Sequence, residues 1–306
     1  MASFPPHLHH HDAHHHPHIG GVAHHDDHQH RHTHTSSKKF DVTISFAAGG
    51  WFQMYHFGVC KAMLDSGFLD DLEAAGKRVR FCGSSAGALA AASLASGCRM
   101  HEEMRDFAVM CAEHYRESHW HFMCMREYLN ASIHRFGDRM METPEQRQRT
   151  LDGMSHGRLE IYTTTLPFFR RKCMTEFTDL DDIEEALVAS CCLTPVVGFP
   201  FPLRKTGEWV CDGGMRSFQP RKGEPRTITV SPFYFTSADI HPSRPIPVWW
   251  GMYPPPKEDH LSLFTLGYND ALDYLMLSNR IGTDRGAKLL RTMAPQKSGS
   301  RFSRAS

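Results

Sequence analysis

Residues 79–96 read VRFCGSSAGALAAASLAS, and the fold turns on them. An apolar run, Val79-Arg80-Phe81-Cys82, meets Gly83-Ser84-Ser85-Ala86-Gly87. Small, helix-compatible residues follow from Ala88 to Ser96. This is the pattern of a strand, a sharp turn and a helix. A serine at the tip of such a turn has a strained backbone and a hydroxyl exposed above the sheet. Gly83 and Gly87 suit the turn because side chains there would collide as strand and helix fold past each other. The helix directs its N-terminus, with its partial positive charge, at Ser85. A G-x-S-x-G string arises by chance in many chains. Its place between a strand and a helix marks Ser85 as a candidate nucleophile.

The segments on either side extend the pattern. Residues 41–46 (DVTISF) read as a strand running into Ala47-Ala48-Gly49-Gly50, with a helix near 55–66. Residues 77–82 form the strand before the turn. Helical periodicity returns at 102–117 and 123–139. Residues 159–166 (LEIYTTTL) are rich in β-branched side chains and predict a strand. Residues 181–190 predict a helix with acidic residues in its first turn. A short strand at 208–211 precedes Asp212-Gly213-Gly214, another covers 226–231 (RTITVS), and 261–281 is a last amphipathic helix. Arg170, Arg171 and Lys172 read as a solvated turn. Strands alternating with helices predict a mostly parallel sheet with helices on both faces.

Composition limits the function classes. Lys plus Arg and Asp plus Glu both total 34, so no strong attraction to nucleic acid is implied. The nine cysteines show no regular spacing, which suggests free thiols in a reducing compartment. Met1–Lys38 holds 14 of the 23 histidines and almost no large apolar residues, so a disordered tail is expected. Its irregular spacing does not indicate a defined zinc site. The basic tail from 296 to 306 is also expected to be disordered, leaving a domain over 39–295. No signal peptide is visible. Residues 186–203 carry no charge, but Pro195, Pro200, Pro202 and Gly198 interrupt them, so a buried helix end plus loop is expected rather than a membrane span.

A serine hydroxyl needs a base to take its proton, and acyl transfer needs donors for the oxyanion. Gly49 and Gly50 lie at the C-terminal end of the first strand, where α/β sheets place ligands. The N–H of Ala86 directly follows the candidate nucleophile. Two bases are available. One is a histidine late in the chain, His241 or His260, in the order Ser…Asp…His. The other is Asp212, presented at a tight bend. Only one clear strand precedes the turn, whereas an α/β-hydrolase normally places several there.

Taken together, five segments resemble the patatin-like phospholipase domain, in its adiponutrin and adipose-triglyceride-lipase branch. They are SFAAGGWFQMYHFGV (45–59), FCGSSAG (81–87), ASCCLTPVVGFPF (189–201), WVCDGG (209–214) and TVSPFYFTSADIHP (229–242). The resemblance spans residues 40–281 in order. It implies a three-layer α/β/α fold and a lipid acyl hydrolase, a triacylglycerol lipase or phospholipase, working through an acyl-enzyme. Ser85 would be the nucleophile and Asp212 the base. Gly49 and Gly50 with Ala86 would form the oxyanion hole, and Gly83, Gly87, Gly213 and Gly214 would be motif glycines. No metal or organic cofactor is implied. The implied partner is a lipid ester, met peripherally at a membrane or lipid-droplet surface from the cytoplasmic side. The family's turn reads G-x-G-x-x-G, and here Ala48 and Gln53 replace its first and third glycines. That departure keeps a second reading open, a catalytically weak lipid-binding protein on the same fold. Acyl transfer to another acceptor is a third. His56 reads as a packed helix residue, Cys82 and Cys211 as buried thiols, and Trp249-Trp250 with Met252-Tyr253 as either a lipid-facing or a buried loop.

Overall fold

The computed structural model describes residues 40–293. Met1–Lys38 and the basic C-terminal tail, both expected to be disordered, lie outside the described residues. The elements, in order, are β1 (Val42–Phe46), α1 (Gln53–Asp65), α2 (Phe68–Ala74), β2 (Val79–Ser84), α3 (Ala86–Ala95), α4 (His101–Glu117), α5 (Met125–Met140) and α6 (Pro144–Met154). There follow β3 (Leu159–Thr165), β4 (Arg170–Met174), α7 (Leu180–Ser190), β5 (Phe201–Pro202), β6 (Trp209–Cys211), β7 (Thr227–Val230), α8 (Lys257–Leu277) and α9 (Thr283–Met293).

The sheet runs β5-β6-β3-β2-β1-β7, with β4 also paired to β3. Strands β7, β1, β2 and β3 are mutually parallel, and β4, β5 and β6 pair antiparallel. Every residue of β1 is buried, so both faces of the sheet are covered, as a central parallel strand requires. Ile44 and Phe46 of β1, Phe81 of β2 and Ile161 of β3 enter one apolar core with Ala88, Ala91 and Leu94 of α3. Truncating a residue such as Phe81 to Ala would cost about 3–5 kcal/mol. Helices α1 and α8 are joined by two tyrosine–carboxylate bonds, a buried one from Tyr55 Oη to Asp270 Oδ2 at 3.0 Å and a partly buried one from Tyr268 Oη to Asp65 Oδ2 at 3.1 Å.

One expectation is corrected. Arg170, Arg171 and Lys172 form β4, opposite Thr165, Thr164 and Thr163 of β3. Among the named strands β4 pairs only with β3; Arg170 and Arg171 face water, and half-buried Lys172 pairs with Glu208. Charge on an edge strand discourages pairing with another chain, and in sequence it looks like a solvated turn. Residues 186–203 are the end of α7, a loop and β5, and no helix among the described residues is long and apolar enough to cross a membrane.

The topology of β3 positions the site. At Ile161 and Tyr162, β2 and β4 flank it on opposite edges. At Thr164 and Thr165, β4 still holds its edge and β6 takes the other. Strands β2 and β6 therefore share one edge of β3 and run toward each other. Ser84 stands opposite Tyr162 and Cys211 opposite Thr164. The chain leaves β2 at Ser85 and leaves β6 at Asp212, on either side of Thr163.

Candidate active site

Ser85 has φ 53 and ψ −129, a strained conformation for a residue with a side chain, and caps α3 at its N-terminus. The turn closes tightly. A Cβ at Gly83 would stand 2.1 Å from Gly87 O, and one at Gly87 would stand 2.5 Å from both Phe46 O and Ala47 O. Only glycines permit that approach of β2, α3 and the end of β1. The Ser85 amide donates to Ser190 Oγ at 2.8 Å, and Ser190 Oγ donates to Tyr162 O at 2.7 Å. Ser190, fully buried at the end of α7, thus fastens the turn to β3. Ser84 Oγ donates to Ser217 O at 2.5 Å, tying the strand before the turn to the segment after Asp212-Gly213-Gly214.

Asp212 is buried and caps the short turn Gly213–Met215. Its main-chain oxygen accepts from Thr164 Oγ1 at 2.8 Å, and its Oδ1 accepts from Gly214 N at 2.7 Å. Oδ2 is buried and makes no hydrogen bond among the described residues. Burial lifts the Asp212 pKa from 3.8 to about 6. The Ser85 hydroxyl and the Gly214 N–H pull it down, the hydroxyl without closing a hydrogen bond on Oδ2. Gly213 packs on Tyr162 O, and a Cβ at Gly214 would stand 2.8 Å from Ala48 Cβ. The second glycine after Asp212 therefore makes room for the alanine that departs from the family turn.

Ser85 and Asp212 line one cavity of about 450 Å³, together with Gly49, Gly50, Ala86 and Gly214. Its deeper wall is apolar, with Phe57, Leu89, Met104, Phe107 and Leu129. Gly50 has φ 55, and a Cβ there would meet Gly251 O at 2.1 Å, so glycine is required at this position. The Ala48 N–H donates to Phe218 O at 2.9 Å and is not available to a ligand. The Gly49 N–H makes no main-chain hydrogen bond among the described residues, and Ala86 is the first residue of α3, whose amides lack helical partners.

The structure brings no histidine into this lining. His56 is fully buried, its Nε2 2.9 Å from Ala47 O, and burial lowers its pKa to about 4. His260 is buried against Trp51, also lowered to about 4 by burial. His241 Nδ1 lies 3.2 Å from Pro242 O. Cys82 and Cys211 are buried free thiols. Cys191 lines the cavity, and burial raises its pKa well above the usual thiol value. Sequence reasoning places Ser190 inside the resembling segment 189–201 but assigns it no role.

A serine in a strained strand–helix turn and a buried carboxylate thus line one largely apolar cavity. The chain belongs to the patatin-like phospholipase family, whose model matches residues 44–222, more than half of it. It is similar to human (Homo sapiens) patatin-like phospholipase domain-containing protein 4, 24% identical over 261 residues covering 78% of this chain and 98% of the relative. It is similar to mouse (Mus musculus) omega-hydroxyceramide transacylase, at 26% over 80% of this chain and 42% of that one. It is also similar to mouse 1-acylglycerol-3-phosphate O-acyltransferase Pnpla3, at 28% over 63% and 44%. The chain thus spans nearly all of the first relative and less than half of the other two. Among solved structures, VipD from Legionella pneumophila matches 63% of this chain and 50% of its own at 13% identity, TM-score 0.34. Membership of this family supports a lipid hydrolase role.

Proposed function

We propose that this chain is a serine-dependent lipid acyl hydrolase with a Ser85–Asp212 dyad. The carrying observation is that Ser85, in its strained turn, shares an apolar cavity with a buried carboxylate whose Oδ2 has no hydrogen-bond partner among the described residues. Asp212 Oδ2 takes the proton from Ser85 Oγ as Oγ bonds to the ester carbonyl carbon. The N–H groups of Gly49, Gly50 and Ala86 receive the charge on the carbonyl oxygen. Collapse breaks the bond to the leaving alcohol, which takes the proton from Asp212. Water then loses a proton to the same carboxylate, attacks the acyl-serine and releases the fatty acid, and Ser85 regains its proton. A pKa lifted to about 6 makes Asp212 a better base than an ordinary aspartate while leaving it ionised at neutral pH.

The apolar cavity suits an acyl chain, and triacylglycerol or phospholipid is the proposed substrate class. Met215, Phe218, Val248 and Met252 line the cavity and are also exposed, which supports peripheral docking at a membrane or lipid-droplet surface. Acyl transfer is the second reading, favoured by the transacylase and acyltransferase names of two relatives. There an alcohol acceptor replaces water. The engaged Ala48 N–H favours a slower enzyme, because it removes one possible oxyanion donor.

A fluorophosphonate probe tests the dyad. The wild type should label at Ser85, and Ser85→Ala should lose both labelling and ester hydrolysis while keeping its fold. Labelling that persists in Ser85→Ala would sink the assignment. Product analysis with and without an added alcohol separates hydrolysis from transfer.

A further inference from the structure

Outside the cavity, three metal-ligating side chains meet where α4 gives way to the 3-10 turn His119–Cys124. His114 and Glu117 stand three residues apart in the last turn of α4 and share a face. Ser118, extended at φ −150 and ψ 140, ends the helix. The chain returns so that the His121 ring stacks on His114, with centroids 4.1 Å apart and planes 10° from parallel. One ligand atom from each of His114, Glu117 and His121 lies within 4.8 Å of the other two. Both rings are anchored through Nδ1, His121 on His114 O and His114 on Tyr128 Oη at 2.5 Å. A carbonyl oxygen only accepts, so His121 carries its proton on Nδ1 and offers the Nε2 lone pair. Metal-binding histidines are oriented in this way, one nitrogen held by an oxygen and the other directed at the ion.

We propose that His114, Glu117 and His121 form a site for a zinc-class divalent cation, with water completing the coordination. Two imidazoles and one carboxylate are a donor set that suits zinc rather than the oxygen-only preferences of calcium and magnesium. The site stands apart from the ester chemistry, because none of its three residues lines the cavity that holds Ser85. Tyr128 and Met125 do line that cavity, and Tyr128 is bonded to His114. The cation therefore ties the end of α4 to the turn entering α5 and stiffens the cavity wall from behind. This holds whether or not the hydrolase reading does.

The test uses the full chain with Zn²⁺ alone. Because 14 histidines precede residue 39 in every variant, the difference between variants is read, not total uptake. In equilibrium dialysis the wild type should bind one equivalent more than His121→Ala. At a hundredfold excess over its Kd, zinc should raise the wild-type melting temperature by about 5–10 °C. That rise should disappear in His121→Ala and shrink in Glu117→Gln. His121 is only half-buried and Glu117 is exposed, so both variants should fold. Equal zinc stoichiometry and an equal rise in melting temperature across all three proteins would overturn the site.

Discussion

Ser190 holds Ser85 by its amide, Ser85 N donating to Ser190 Oγ at 2.8 Å. The same hydroxyl donates onward to Tyr162 O, so the strained turn is anchored on the strand that also carries Asp212 through Thr164. Ser190→Ala would remove the hydroxyl that links the part-buried Ser85 amide to Tyr162 O, a loss of about 1–3 kcal/mol. We expect kcat for ester hydrolysis to fall about 10–100-fold with KM nearly unchanged, because the lesion misplaces Ser85 rather than the acyl cavity. An unchanged kcat, measured on a soluble ester, would show that the turn is held by its other contacts.

Asp212→Asn should abolish acylation, whereas His241→Ala with His260→Ala should leave most of it. Rates of fluorophosphonate labelling decide between them. The reverse result would restore a histidine base.

The same substitution should stabilise the fold, and only above a certain pH. The folded carboxylate has its pKa raised from 3.8 to about 6, so the folded state binds the proton more tightly than the unfolded one. That advantage is complete below about pH 4 and is lost as pH rises through about 6. Above pH 6 the buried charge costs on the order of 3 kcal/mol relative to the protonated form. Asp212→Asn should therefore raise stability to urea at pH 8 by up to that amount and change it little at pH 4. Equal effects at both pH values would contradict the raised pKa.

Acid should destabilise the wild type through its buried histidines. His56, His101 and His260 are each lowered by burial from 6.5 to about 4. Between those values the unfolded chain takes up protons that the folded chain refuses, so stability falls as pH drops through this window. Urea midpoints should decline steadily from pH 6.5 to pH 4, and His56→Gln should flatten the decline.

Trp249 and Phe235 are 63% and 64% exposed, and each adjoins the cavity mouth. Trp249 follows Val248 of the lining, and Phe235 packs 5.7 Å from Phe233 of the lining. Changing both to Ala should weaken binding to phosphatidylcholine vesicles by about tenfold or more, from the apolar area withheld from lipid. Turnover of a soluble ester should stay at the wild-type level. Vesicle binding that is unaffected would move the docking face elsewhere.

The central strands and longer helices were legible in the sequence because burial imprints a regular apolar pattern, as in VTISF of β1 and LEIYTTT of β3. What escaped reading has local physical reasons. Strand β4 is charged because it is an edge, and β5 is only Phe201–Pro202. Helix α6 is polar through much of its length, although Thr143, Pro144 and Gln146 formed a readable start, with a capping box and proline at the first turn. Ser85 and Asp212 stood out because their glycine neighbours form motifs. Ser190 did not, since its role comes from two long-range hydrogen bonds that no local pattern encodes. The Ala48 departure was visible, but its engagement with Phe218 O depended on a distant segment.

Strands β2 and β6 meet head to head along one edge of β3, so β3 acts as a ruler for the distance between Ser85 and Asp212. The long stretch of chain between them does not set that distance; the ladder does. Residues added to the loop between β5 and β6 would leave the graduation untouched. A single residue added within Trp209–Cys211 would shift β6 by one notch and turn every shifted side chain to the other face of the sheet. The proposed chemistry of this chain is thus guarded less by Ser85 and Asp212 themselves than by the count of residues on the threonine-rich strand between them.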